Sequence, residues 1–204
     1  MNLSPLSRTA AIGVAVLGLA TLSSTAEATF IATLQEIGPD AVLTGSGSIN
    51  TTGLAFERST SPTNGLLPST VIISIGAPSG PLSDVYTGPI SGPTNFGPGL
   101  GQISTSGSGD EVLLELATLE IDVPLGYVSG DPLSDTMTFA NTTFSSLGVI
   151  AGTYTWTWGT PGVNADSFVL QVGPVAPSVS EPASLALLGL GVAGLGFVYR
   201  RRAH

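Results

Sequence analysis

The chain of 204 residues carries fourteen carboxylates against five arginines, with no lysine, no cysteine and one histidine, His204, for a formal net charge of −9. Such an acidic chain excludes a nucleic-acid binder, since phosphate affinity is drawn from Lys and Arg. It also excludes a Ser-His-Asp triad, a Cys-His dyad, a histidine zinc site and lysine Schiff-base chemistry, so no enzyme activity, catalytic residue or cofactor is expected.

The N-terminus reads as a signal peptide over residues 1–28. Arg8 precedes the apolar run Ala10–Ala20, and Ala26-Glu27-Ala28 supplies an A-x-A cleavage site. The run falls short of the roughly 20 apolar residues that a membrane span needs. Export does not oblige disulfides, and a body of this size stands without them.

Residues 29–172 are expected to form one all-β, β-sandwich-like domain. The stretch 41–50 alternates, with Ala41, Leu43, Gly45, Gly47 and Ile49 on one face and Thr44, Ser46, Ser48 and Asn50 on the other. A period of two means one buried and one wet face. Further strands are read at 30–37, 54–56, 71–75, 102–106, 111–116 and 133–139. Residues 76–101, with their many prolines and glycines, read as an extended surface loop holding at most a short edge strand. Val112, Leu116 and Leu119 also fit a helical stripe, but the glycines before this segment and the Ile121-Asp122-Val123-Pro124 ending favour strand.

Thr153–Trp158 places threonines on one face and Tyr154, Trp156 and Trp158 on the other. A turn at 159–164 and the strand 167–172 complete a closing β-hairpin. Two readings follow for the aromatic row: core packing, or a platform on which sugar rings stack.

The acids offer weaker chemistry. Glu111 and Glu115 on one strand would stand about 13 Å apart, too far for glycoside hydrolysis, whereas Glu120 and Asp122 would stand about 6.6 Å apart, within its range. Asp110, Glu111, Asp131 and Asp135, in loops or at strand ends, could supply oxygen ligands to calcium. No DxDxDG loop occurs, however, and no metal site is assigned. No P-loop or dinucleotide fingerprint occurs either. The sequons at Asn50 and Asn141 are read as chance matches.

Residues 173–179 form a proline-marked spacer. Residues 183–199 are free of charge and proline, long enough as a helix for a short membrane span. Tyr199 sits where an interfacial aromatic belongs, and Arg200, Arg201 and Arg202 would stay cytoplasmic by the positive-inside rule.

Taken together, Ser180-Glu181-Pro182, the Gly/Leu-rich segment and the three arginines resemble the PEP-CTERM sorting signal of Gram-negative bacteria. Ser180 stands where that motif has its first proline; Glu181 and Pro182 match. The resemblance covers about 25 residues, from 180 to 204. It implies an exosortase-type membrane enzyme as partner and a transient inner-membrane stage. It further implies a surface or matrix destination associated with exopolysaccharide. Nothing in it implies catalysis, and it leaves a structural or adhesive body, a carbohydrate- or calcium-binding module and a carboxylate glycosidase as successive readings.

Overall fold

The computed structural model describes residues 28–79 and 81–173. Within them lie the strands β1 (Ala28–Ile37), β2 (Asp40–Ser48), β3 (Ala55–Thr60), β4 (Thr63–Leu67), β5 (Ile72–Ser79), β6 (Ser83–Thr87), β7 (Gln102–Ile103), β8 (Ser106–Gly109), β9 (Val112–Glu115), β10 (Glu120–Pro124), β11 (Pro132–Phe139), β12 (Gly152–Trp158) and β13 (Asp166–Val172). One sheet has the order β12-β13-β1-β2-β11-β8, the other β3-β6-β10-β9-β5-β4-β7. The all-β expectation agrees with this. The one described α-helix is the single turn α1 (Phe144–Leu147), closed by a Thr143–Ser146 capping box and by Gly148 in the left-handed region. Ala26, spacer residues 174–179, the sorting residues and the expected membrane helix 183–199 lie outside the described residues; Ala28 opens β1.

The first sheet follows its sequence pattern closely. In β2, Ala41, Leu43 and Gly45 are buried while Thr44 and Ser46 are exposed, as a period of two requires. The expected hairpin forms, with Thr153 opposite Gln171 and Trp158 opposite Asp166. β13 then pairs in parallel with β1, which joins the two ends of the described chain at the middle of the sheet. The inner face packs Phe30 against Phe168 at 5.2 Å with the rings tilted by 36°, and Trp156 against Phe168 at 6.2 Å, edge-on as ring quadrupoles prefer. β5 of the second sheet packs on β8 and β11, and one buried cluster draws side chains from both sheets.

Gly47 has φ +138°, and a Cβ there would strike the Thr29 carbonyl and Phe30 Cα of the neighbouring strand. Both are main-chain atoms that cannot swing aside. Gly47→Ala should therefore cost about 2 kcal/mol or more in urea unfolding. A loss under 0.5 kcal/mol would mean that β1 and β2 can part at that point.

The second sheet departs from the sequence reading. β3 and β4 stand at positions one and six of its order, yet only residues 61 and 62 join them. Laid flat, five inter-strand gaps would separate them by about 24 Å. A link from Thr60 to Thr63 reaches at most about 11 Å. The sheet must therefore curl strongly, and its second face closes as well. That is why β10 is buried at four consecutive residues, from Glu120 to Val123, rather than at alternate ones.

One expectation is corrected here, and one strand was not foreseen. Residues 76–101 are not one surface loop: β5 runs to Ser79, and β6 lies between β3 and β10 rather than at an edge. Ile90 and Phe96 from the same stretch are buried, Phe96 edge-on to Trp156. β4 was not expected, since Thr63-Asn-Gly-Leu-Leu67 has neither alternation nor β-branched enrichment beyond one threonine. The strand favoured over a helical stripe in the segment from Val112 is what forms: it is the hairpin β9–β10, turned through Leu116 and Leu119, where Leu119 takes φ +58°.

Candidate functional site

The aromatic row faces inward. Trp156 is 0% and Trp158 3% exposed, and Tyr154 is half-buried. Each indole N–H is spent on a main-chain carbonyl, Trp156 on Pro93 at 2.8 Å and Trp158 on Asn50 at 3.0 Å. Tyr154 stacks on Trp156 at 6.3 Å and donates its hydroxyl to the Ile150 carbonyl. The stacking-platform reading of these three residues is thereby corrected: large rings with satisfied polar handles serve as core.

The acid pair Glu120–Asp122 does share one face, but that face lies inside the curl. Glu120 is clamped by Arg58, which donates from both terminal nitrogens at 3.1 Å and also reaches Glu57 at 2.9 Å. Asp122 is buried; its Oδ2 accepts from Ser83 at 3.4 Å and its Oδ1 has no hydrogen-bond partner. Burial, and then the neighbouring Glu120, push the Asp122 carboxyl up to about 6. A glycosidase pair needs one acid and one base open to a sugar, and here one member is locked to an arginine and the other enclosed.

Glu111 anchors a second buried group on the same face. Asn64 Nδ2 donates to Glu111 Oε2 at 2.7 Å, and the Ser74 hydroxyl donates to Asn64 Oδ1 at 2.6 Å. Burial lifts the Glu111 carboxyl to about 7, opposed by the Asn64 hydrogen bond and assisted by Asp122. No sequence pattern signalled this set, because Asn64 sits on the unexpected strand β4.

Asp135 is buried on the inner face of the first sheet, between Leu133 and Met137, where Gly45 opposite leaves room for it. Burial, then Asp110 and Glu111, push its carboxyl up to about 7. The Gly45 N–H softens that shift, although neither oxygen completes a hydrogen bond of ordinary geometry. Asp110 accepts from the Ser134 N–H at 2.8 Å, and Asp131 is exposed. Among the described residues no three acids or histidines converge as a metal site would require, so the calcium set is not assembled. Asn50 Oδ1 accepts from the Thr52 N–H and hydroxyl, which makes it a cap for the short 3-10 turn that follows it.

Among the described residues, then, Glu111, Glu120, Asp122 and Asp135 are enclosed, Asp131 is exposed, and Trp156 and Trp158 are core. Residues 178–202 match the family model of the PEP-CTERM protein-sorting motif. That motif is the recognition signal for exosortase processing and marks an exported protein sorted at the membrane. No curated protein and no solved structure matches the chain.

Proposed function

We propose that this chain is a non-enzymatic structural or adhesive component of an extracellular polysaccharide layer, released there after an exosortase acts on its tail. The observation that carries the reading is the sorting motif at 178–202 joined to a body without lysine, cysteine or histidine. A body without lysine, cysteine or histidine, whose one acid pair at glycosidase spacing is locked to Arg58 at Glu120 and enclosed at Asp122, is equipped to be placed rather than to turn over substrate.

The test is the mass of the mature C-terminus recovered from cells. The wild-type protein is expected to lack the Arg200-Arg201-Arg202 end. The double variant Glu181→Ala, Pro182→Ala should keep the full tail and accumulate in the membrane fraction. An intact tail on wild-type protein in the matrix would overturn processing. Wild-type protein absent from the matrix fraction of cells making polysaccharide would overturn the matrix role.

A further inference from the structure

The outer face of the six-stranded sheet is built from uncharged hydroxyl and amide side chains in register. One row crosses all six strands as Thr153, Gln171, Thr33, Thr44, Thr136 and Ser108. The next row carries Thr155, Ser46 and Ser134 beside Val169 and Ile31, and a third carries Gln35, Thr138 and Ser106 beside Val42. A short fourth row is Thr157, Ser167 and Thr29, in which the last two hydroxyls meet at 3.1 Å. No residue of these rows is charged, although the chain carries fourteen acids; Asp40 stands only at the rim, opposite Ile37. Thr44, Ser46, Ser134, Ser106, Ser108, Thr153, Thr155 and Thr157 are exposed. At the short row the face runs into a cleft of about 410 Å³ lined by Ser91, Thr155, Thr157, Ser167, Pro89 and Pro161 among others.

We propose, resting on the matrix reading above, that this face binds an extended neutral polysaccharide, with the cleft between Ser91 and Ser167 holding one end of the bound stretch. Hydroxyls recur about every 4.8 Å across the strands, and each can donate and accept at once, as a neutral sugar chain requires of its partner. Every such bond replaces one with water, so single sugars gain little and affinity accumulates along the polymer. The sheet's twist suits a chain that can follow it rather than a rigid lattice. Charge selects the class of polymer: a protein at −9 with no cation on this face repels anionic chains. A second copy is a poor occupant, because two hydroxyl faces bring little apolar area together and like charges oppose them.

The test uses full-length protein in mild detergent and affinity electrophoresis through hydroxyethylcellulose or, separately, alginate. The wild type should be retarded by the neutral polymer, not by alginate, and not relieved by free glucose. The variant Thr44→Glu, Thr153→Glu should lose at least tenfold in apparent affinity with an unchanged melting temperature, whereas Thr52→Glu, off this face, should bind as wild type. Equal retardation by alginate, or by the face variant, would overturn the proposal. So would absence of retardation, or concentration-dependent dimers that the face variant abolishes. Should the face variant still fractionate with the cell matrix, the inference fails while the matrix role stands; absence of the wild type from the matrix would sink the matrix role instead.

Discussion

Trp156→Ala should lower the unfolding free energy by about 3–5 kcal/mol, the largest loss expected from any single aromatic here. The ring is fully buried at the junction of Phe96, Phe168 and Tyr154, so its removal opens a cavity that three other rings line. It also leaves the Pro93 carbonyl without the indole N–H at 2.8 Å, and Pro93 belongs to the segment that carries Phe96 inward. Urea unfolding should show the midpoint falling with the slope unchanged. The neighbouring Thr155 points to the opposite face and is exposed, so Thr155→Ala should stay within about 0.5 kcal/mol of wild type. A Trp156→Ala protein as stable as Thr155→Ala would mean that the hairpin is reversed. The aromatic row would then face solvent as a sugar platform.

That contrast also marks what the sequence made legible. The period of two in 41–50 and 153–158 identified which residues share a face, because each strand of the first sheet has one wet side. It did not identify which face of the hairpin is inner; that was decided by Phe30 and Phe96, distant in sequence and brought by the fold against Phe168 and Trp156 of the hairpin. The second sheet was nearly illegible for a single physical reason. Its curl buries both faces of β10, which reads Glu120-Ile121-Asp122-Val123, apolar and acidic alternately, with all four enclosed. Alternation there signals two different interiors and not core against solvent. Glu111 and Asp122, read from the sequence as open to a ligand or a sugar, are buried because the pairing of β3 to β6 and β4 to β5 folds the sheet over them, while Asp135 is buried on the inner face of the first sheet. No local pattern encodes that. The sorting motif was legible throughout because a processing enzyme reads a linear segment, which needs no fold to bring it together.

The melting temperature should rise by several degrees as pH falls from 8 to 5, opposite to the trend for proteins whose carboxylates are held by cations. Glu111 and Asp135 are raised to about 7 and Asp122 to about 6, in each case chiefly by burial. A raised carboxyl binds its proton more readily in the folded chain than in the unfolded one. Folding therefore takes up protons between roughly pH 4 and 7, and stability is lost as pH climbs through that window. For Glu111 alone the shift from 4.5 to about 7 is on the order of 3 kcal/mol above pH 7. Its three acids interact, so their effects do not simply add. Glu111→Gln isolates one of them. The amide oxygen can still accept from Asn64, and its N–H can donate to the Ser74 hydroxyl, which is free to rotate. This variant should melt higher than wild type at pH 8, match it near pH 5 and show a flatter profile between. Asp135→Asn is the less clean experiment, because no hydrogen-bond partner meets either Asp135 oxygen and an amide would add buried donors to that gap. A wild-type profile that is flat or rises with pH would mean that water reaches these carboxylates and that the curl of the second sheet opens in solution.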